Sequence, residues 1–298
     1  MYDRCIFLSE EDGAMQSLSC KKIIRSLLSA VIVSAVMFSM CSCKKDTQVC
    51  QEEALKLTVI MYHGLTDKHS RQNQYMISPD SFEDDLKFLK ENGYHTISVS
   101  ELILHFKDKR PLPEKPVLIT FDDGYLNNYT FAFPLLKKYN AKALISPIGI
   151  SADEAEKEKY RSADWSQCRW SELMEMCNSG LVELGNHTYD LHKTGGGKNG
   201  AAKMYGEDEQ EYEKRLKEDV ITANEAIIKH TGKTPQAFVY PFGAKSGSTE
   251  EIIRSLGFSA IFDCENKMNI LTSQDDLYHL HRFIRAEKTV RRICSENE

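Results

Sequence analysis

Short apolar segments alternate along this chain with segments whose apolar residues recur at helical spacing. The apolar runs are rich in β-branched residues and end in glycine or polar residues, a pattern typical of buried parallel strands. Between them, capped segments carry apolar residues three and four positions apart, which indicates amphipathic helices. This order of elements predicts an α/β fold with a parallel sheet or barrel. We expect strands at 57–64, 95–99, 115–124, 142–148, 181–187, 237–243, 259–262 and 277–284, and helices at 78–94, 100–106, 131–139, 169–176, 209–230 and 250–256.

Two segments of the chain lack this periodicity. Residues 151–163 are charged and poor in apolar side chains, so we expect an exposed loop or lid there. Residues 195–208 are rich in glycine and then acidic, so we expect a mobile surface loop. The chain shows no internal repeat and no second apolar core, and we therefore expect its body to be a single domain.

The amino-terminal region has the layout of an export signal. Basic residues precede an apolar run at 27–40 that is short for a transmembrane span. The run leads into Cys41 and Cys43, and this junction resembles a lipoprotein signal with an acylated cysteine. Cys43 follows a small residue and fits that pattern better than Cys41, which follows a methionine. We therefore expect a lipoprotein-type export signal at 1–43 and a polar tether at 44–56; an uncleaved anchor helix is the alternative and leads to the same compartment.

Charge and cysteine spacing narrow the range of functions. The formal net charge is −6 and no basic patch interleaved with aromatic residues occurs, so we expect no nucleic-acid partner. The cysteines of the body form no Cys-x-x-Cys pair, which argues against a structural zinc site.

Two adjacent carboxylates and a glycine close the predicted strand at 115–124. Adjacent residues of a strand point to opposite faces, so Asp122 and Asp123 have different surroundings unless the chain turns there. Gly124 can supply that turn. Two carboxylates at the end of a buried strand suggest that one binds a metal ion and the other moves a proton. The alternative is the N-cap of the following helix, for which Asp-Asp-Gly is an ordinary sequence.

Two histidines follow another predicted strand. His187 and His192 lie five positions apart, which on a helix would set their side chains about 140° apart, so they are not a helical metal-binding pair. Taken alone, two such histidines are more often surface or core residues than ligands. Because His187 ends a strand, however, it lies by pattern on the same sheet edge as Asp123, and two imidazoles with one carboxylate can hold zinc or another divalent ion. His63 ends an earlier strand on that edge and is either a cleft-lining or a core histidine.

Three motifs resemble those of the carbohydrate esterase family 4 polysaccharide deacetylases. They are Thr-Phe-Asp-Asp-Gly at 120–124, the histidine segment at 187–192 and Tyr-Pro-Phe-Gly at 240–243. The resemblance covers residues 57–285 and leaves a C-terminal tail at 286–298. It implies a distorted (β/α) barrel, typically of seven parallel strands, and the removal of N- or O-acetyl groups from polysaccharides.

The resemblance also implies roles for individual residues. Asp122 corresponds to the general base of the family. Asp123, His187 and His192 correspond to the ligands of a divalent metal ion, for which we expect zinc. The backbone amide of Phe242 corresponds to the donor that stabilises the oxyanion.

The chain departs from the family pattern in three places. One additional residue separates the two histidines, a longer form similar to the branch that acts on partially acetylated glucosamine exopolysaccharides and found in other bacterial members too. The segment 239–243 lacks the arginine that tethers the catalytic aspartate, here Asp122; its Tyr240 is expected to line the cleft. Two histidines are candidates for the general acid, which the family supplies from a Leu-x-His motif. His279 matches the residue types of that motif, whereas His281 matches the predicted strand register and is preferred.

We therefore expect an exported, metal-dependent hydrolase that removes N-acetyl groups from an N-acetylglucosamine-containing polysaccharide of the bacterial cell envelope or exterior. We expect a monomer attached to the membrane through a lipid anchor or signal anchor. One alternative is a catalytically silent sugar-binding lipoprotein, which the missing arginine and the unsettled acid favour and the intact aspartates and histidines disfavour. Another is an iron oxygenase with two histidines and one carboxylate, which a barrel fold would exclude.

Overall fold

The computed structural model describes residues 54–296, so the expected export signal and most of the tether lie outside the described residues. None of the described helices is long and apolar enough to span a membrane. The strands are β1 (Leu55–Tyr62), β2 (Gly64–Leu65), β3 (Met76–Ile77), β4 (His95–Thr96), β5 (Pro116–Asp123), β6 (Ala143–Pro147), β7 (Val182–Leu184), β8 (Thr194–Gly195), β9 (Lys198–Asn199), β10 (Ala237–Val239), β11 (Ala260–Phe262), β12 (Asn269–Leu271) and β13 (Phe283–Ile284). The α-helices are α1 (Pro79–Glu91), α2 (Val99–Asp108), α3 (Phe133–Tyr139), α4 (Gly149–Ala155), α5 (Trp170–Asn178), α6 (Glu209–Thr231), α7 (Thr249–Ser255) and α8 (Val290–Ser295).

Seven of the described strands form a parallel ring. β1 pairs with β5, β5 with β6, and β6 with β7, all in parallel. A single bridge between Asn186 and Phe238 leads from the end of β7 to β10, which pairs in parallel with β11. A second bridge, between Phe262 and Leu280, leads to β13, which returns to β1. The barrel is therefore closed, and it is distorted where only single bridges join its strands.

This architecture confirms the predicted fold class, a seven-stranded parallel barrel in a single domain. It is not a double-stranded β-helix, so the iron oxygenase alternative loses its structural basis. Two short strands extend the sheet: β4 lies parallel beside β5, and β12 lies antiparallel beside β1. The sequence pattern does not indicate β12, because a three-residue strand is too short to show a period.

Several of the predicted strands are shorter than expected. Those predicted at 181–187 and 237–243 are reduced to the three residues of β7 and of β10. The strand predicted at 95–99 is reduced to β4, because Ser98 caps α2 and forms a capping box with Glu101. The strand predicted at 277–284 begins inside a 3₁₀ helix, Gln274–His279, and only the two residues of β13 are strand. A short apolar run is buried in either conformation, so its composition does not distinguish the two.

Alternate residues of the ring strands face two apolar layers. Leu57 and Val59 of β1 and Leu118 of β5 belong to one cluster, which fills the interior of the barrel. Ile60 and Ile119 of the same strands belong to another, which packs against the surrounding helices α1, α3 and α5. This alternation follows from the two-residue period of a strand.

Two segments expected to be irregular contain helices. The first part of the 151–163 loop belongs to α4, whose Ala152 and Ala155 are buried. The tail expected at 286–298 contains α8, whose Val290 and Ile293 are fully buried. Both helices are short and turn few apolar residues toward the core, so neither shows a helical period in the sequence. The loop expected at 195–208 overlaps a small hairpin of β8 and β9.

Candidate metal centre and active site

The chain turns at the end of β5, and this turn separates Asp122 from Asp123. Asp123 has a φ of 70° and Gly124 a φ of 73°, both in the left-handed region. The turn thus begins at Asp123, one residue earlier than the sequence indicates. A Cβ atom on Gly124 would lie 2.8 Å from the Cβ of Pro147, so this position accommodates only glycine. Consequently the two carboxylates reach different partners.

A buried arginine holds Asp122. Arg282 Nη1 and Nη2 donate to Asp122 Oδ1 and Oδ2 at 2.6 and 2.8 Å, and both side chains are buried. Burial raises the pKa of Asp122, but the guanidinium of Arg282 outweighs this effect and holds the pKa well below its usual range. The expectation that no arginine tethers Asp122 is therefore wrong, because the tether comes from the C-terminal strand of the barrel instead of the segment 239–243.

The bridge that follows β7 positions His187. Its Nδ1 lies 2.9 Å from the carbonyl oxygen of Val239. Because a carbonyl oxygen only accepts, Nδ1 carries the proton of the neutral ring and Nε2 presents its lone pair. This Nε2 faces Asp123 Oδ1 at 3.6 Å. Two acceptors that face each other require a proton or a cation between them.

His192 joins the same group of side chains. Its Nε2 lies 3.4 Å from Asp123 Oδ1, and its ring centroid lies 5.0 Å from that of His187. One donor atom from each of Asp123, His187 and His192 lies within 4.8 Å of the other two. Asp123 Oδ1 is buried and has no hydrogen-bond partner among the described residues, which is a costly state for a carboxylate oxygen. The three residues therefore fit a divalent metal ion that accepts oxygen and nitrogen ligands.

Three of the six described non-glycine residues with a positive φ lie in the loops that carry these residues. Asp123, Thr188 and Phe242 have φ values of 70°, 68° and 60°, in the left-handed region that few non-glycine residues adopt. Thr188 is β-branched and is held in this conformation by neighbours: its amide donates to Asn186 Oδ1 at 2.8 Å, and its carbonyl accepts from the amide of Gly149 at 3.0 Å. Strained residues that persist in this way cluster at functional sites.

The turn after β10 exposes Phe242 and buries Tyr240. Phe242 is 49% exposed, and its ring centroid lies 4.2 Å from that of His192. The expected oxyanion donor thus lies beside the expected metal ligands, and the role of its amide stays a prediction. Tyr240 is 1% exposed and packs against Phe238. The expectation that Tyr240 lines the cleft is wrong, because its ring is buried in a further apolar cluster with Phe238 and with residues of α6 and α7.

The two candidate acids have different surroundings. His281 Nδ1 lies 3.0 Å from Asp263 Oδ2, and the backbone of His281 exchanges two hydrogen bonds with the side chain of Asn269. His281 directly precedes Arg282 in the chain. His279, in contrast, has a half-exposed side chain 3.3 Å from Glu250. The geometry thus favours His281 over His279, and its role as the acid stays a prediction.

His63 lies next to this group, at the end of β1. Burial lowers its pKa, although the nearby charges of Asp122 and Asp123 oppose that effect. Its ring packs edge-on against Tyr75 at 4.9 Å between centroids. His63 is therefore near enough to Asp122 and Asp123 for their charges to act on its pKa.

Arg282 and Asp263 belong to this site although no motif of the sequence points to them. Arg282 does carry a signal, because it lies between the apolar residues Leu280 and Phe283 of a predicted strand, and a charged side chain in a buried strand needs a buried partner. No local pattern indicates that the partner is Asp122. Asp263 follows the apolar strand β11 and resembles any polar residue at a strand end.

The sequence profile of the polysaccharide deacetylases matches residues 109–261, about half of the chain. Bacillus subtilis YxkH, whose name places it provisionally among polysaccharide deacetylases, is 30% identical over 232 residues, which cover 78% of this chain and 72% of that protein. Two Escherichia coli proteins named poly-β-1,6-N-acetyl-D-glucosamine N-deacetylase are 24% and 27% identical and match 83% and 73% of this chain. The chain spans only 41% and 35% of the lengths of these two relatives.

A solved structure extends the similarity to three dimensions. The fold matches that of a de-N-acetylase from Aggregatibacter actinomycetemcomitans with a TM-score of 0.68 at 26% sequence identity. The match covers 80% of this chain and 100% of the other. The similarity therefore includes the whole barrel and not only the profile region.

Proposed function

This chain belongs to the polysaccharide deacetylase family, and we propose that it hydrolyses N-acetyl groups of an N-acetylglucosamine-containing polysaccharide outside the cytoplasm. The observation that carries the proposal is the convergence of Asp123, His187 and His192 on one buried, unpaired carboxylate oxygen beside an arginine-held Asp122. The substrate class is supported by the names of the two E. coli relatives and by the longer histidine spacing.

In the proposed mechanism, Asp123, His187 and His192 hold a divalent cation, for which we expect zinc. When bound, such an ion is a Lewis acid that lowers the pKa of water and polarises the acetyl carbonyl. Asp122 accepts the proton of the attacking water, and Arg282 keeps its carboxylate ionised and oriented.

Two other groups act on the substrate itself in this mechanism. The backbone amide of Phe242 donates a hydrogen bond to the developing oxyanion. His281, oriented through Nδ1 by Asp263, carries a proton on Nε2 and gives it to the leaving amine. The carbon–nitrogen bond breaks, and the products are acetate and a free amino sugar.

The catalytically silent alternative depends on a missing arginine and an unsettled acid. Arg282 takes the place of the missing arginine, and His281 has a carboxylate partner in Asp263. Both arguments for a catalytically silent protein are thereby weakened, so we favour an active deacetylase.

The proposal is tested by measuring acetate release and bound metal on the same preparations of the full-length protein. Poly-N-acetylglucosamine, chitooligosaccharide and peptidoglycan serve as substrates. Asp122→Asn should lower acetate release by about 10²- to 10⁴-fold and leave bound metal near one equivalent, because the ligands are intact. Asp123→Asn should lose both, since a neutral amide replaces the only anionic ligand.

Asp80→Asn, an exposed carboxylate in the first turn of α1, is the matched control and should retain both activity and metal. If Asp122→Asn empties the site while Asp123→Asn keeps its metal, the two roles are reversed. If the unmodified protein binds metal and sugar but releases no acetate from any of the substrates, the silent sugar-binding alternative is correct.

A further inference from the structure

The segment between His187 and His192 has to fold back on itself for both histidines to reach Asp123. It is one residue longer than the spacing usual in the family, and it adopts neither helical nor strand geometry. Nevertheless His192 Nε2 returns to within 3.4 Å of Asp123 Oδ1. An irregular loop of this kind keeps one conformation only if groups outside it bind its main chain.

Asp219 on α6 binds the middle of this loop. Its Oδ1 accepts a hydrogen bond from the amide of Tyr189 at 2.7 Å, and its Oδ2 accepts one from the amide of Asp190 at 2.8 Å. Both carboxylate oxygens thus hold consecutive main-chain amides. Hydrogen bonds to an ionised acceptor are short and strong, and Asp219 is half-buried and therefore less screened than a surface carboxylate.

Other side-chain contacts link the start and the middle of the loop to the same helix and to α4. Asn186, directly before His187, donates from Nδ2 to the carbonyl oxygen of Val220 at 2.9 Å. The hydroxyl of Tyr189 donates to Asp153 Oδ2 on α4 at 2.7 Å. The start of the loop is also held through its main chain, by Asn186 and Gly149 at Thr188 and by the amide of Ile150 at the carbonyl of Tyr189. Asp219 is the side chain that binds the amides of Tyr189 and Asp190, in the middle of the loop.

We propose that Asp219 is a positioning residue of the metal centre, whose carboxylate folds the five-position loop so that His192 reaches the ion held by Asp123 and His187. The inference rests on the proposed function. Asp219 contacts no ligand atom, so it acts through the loop. Residues that orient ligands in this way typically change metal affinity 10- to 100-fold when they are replaced.

The test measures Zn²⁺ affinity of the full-length protein by competition with a chromophoric chelator. In Asp219→Asn one amide oxygen can still accept, but the NH₂ group faces the second main-chain N–H, so one hydrogen bond is lost. We expect Zn²⁺ affinity to fall about 10-fold or more. Glu218→Gln is the matched control: it removes the same charge from the adjacent, exposed position of α6 and should leave affinity unchanged.

A double-mutant cycle distinguishes positioning from a general loss of stability. If Asp219 acts through His192, Asp219→Asn should have no further effect on Zn²⁺ affinity in a His192→Ala background. An equal loss of affinity in both backgrounds, or no loss in the single variant, would overturn the inference. Should Asp219→Asn fail to fold, Asp219→Glu replaces it in the same double-mutant cycle. This variant keeps the charge but displaces the carboxylate by one methylene group.

The readout also separates this inference from the proposed function. A protein that binds Zn²⁺ through Asp123, His187 and His192 but releases no acetate contradicts the proposed function, and the cycle still decides the role of Asp219. A protein that binds no Zn²⁺ at this site contradicts both.

Discussion

The buried pair of Asp122 and Arg282 shows at the level of single residues how this site combines stability with chemistry. A buried charge is costly unless a well-placed partner and further hydrogen bonds compensate for it. Arg282 satisfies Asp122 with two hydrogen bonds and donates a third, from Nε, to the carbonyl oxygen of Asp263 at 2.8 Å. Because Asp263 also holds His281, one arginine connects the proposed base with the support of the proposed acid.

Replacing Arg282 should therefore affect both stability and activity. Arg282→Met leaves Asp122 buried without its partner, and we expect a loss of about 3 to 5 kcal/mol in the free energy of unfolding. We also expect acetate release to fall sharply. Urea denaturation and the acetate assay measure the two effects.

Arg282→Lys retains the charge but cannot form the two-pronged contact, so it should be intermediate in both measurements. An Arg282→Met variant as stable and as active as the unmodified protein would show that the pair has neither role.

At the level of a structural element, Glu172 holds the segment that joins α4 to α5. It accepts two hydrogen bonds from Arg161, at 2.6 and 2.7 Å, and one from the amide of Arg169 at 2.7 Å, next to the start of α5. Glu172 therefore fixes the segment at two places, Arg161 and Arg169, although the composition of the segment predicts an exposed loop. Burial raises the pKa of Glu172, but Arg161 and the Arg169 amide outweigh it, and the pKa is lowered in the folded protein.

This shift predicts how stability depends on pH. A carboxylate whose pKa is lower in the folded state stabilises the protein above its unfolded pKa, about 4.3 for glutamate, and this contribution is lost as pH falls through the folded value. Glu172→Gln should therefore lower the free energy of unfolding by about 1.5 to 3 kcal/mol at neutral pH. The difference from the unmodified protein should shrink below pH ~4.

Chemical denaturation at pH 7 and at pH 3.5 measures this difference. The control is Glu213→Gln, which removes an exposed pair with Lys217 on α6 and should cost no more than about 1 kcal/mol. A Glu172→Gln effect that is as large at low pH as at neutral pH would contradict the assignment.

The C-terminal segment closes the molecule as a whole. Leu280 bridges to β11 and β13 pairs with β1, so the residues that complete the ring surround His281 and Arg282. The pairing that closes the barrel therefore also brings His281 and Arg282 to the other proposed catalytic groups. Helix α8 then covers the outer layer beside α1 with Val290 and Ile293.

Attachment to the membrane is a further prediction for the whole molecule, and it concerns residues outside the described range. If Cys43 carries the lipid, Cys43→Ala should move the protein from the membrane fraction to the soluble fraction. Cys41→Ala is the matched control and should remain with the membrane. Fractionation followed by immunoblotting measures both variants, and release by Cys41→Ala instead would place the anchor two residues earlier.

The sequence alone determines the fold class and places Asp123 and His187 at one edge of the sheet. Both depend on local patterns: apolar strands alternate with amphipathic helices, and in parallel sheets the residues at the ends of the strands meet at one edge. Asp123 and His187 each follow the end of such a pattern, so their convergence can be predicted without coordinates. His192 lies five positions beyond His187, and its approach to Asp123 depends on how that loop folds.

Only the tertiary structure decides which side chains pair across the barrel. Asp122 and Arg282 are 160 residues apart, and their contact exists because β13 closes the ring beside β1 and β5. The burial of Tyr240 depends in the same way on which layer covers its side of β10, and the contrast between His279 and His281 depends on where a 3₁₀ helix ends. Such outcomes are properties of the packed molecule, because local periodicity determines which face of an element is buried but not which distant partner buries it.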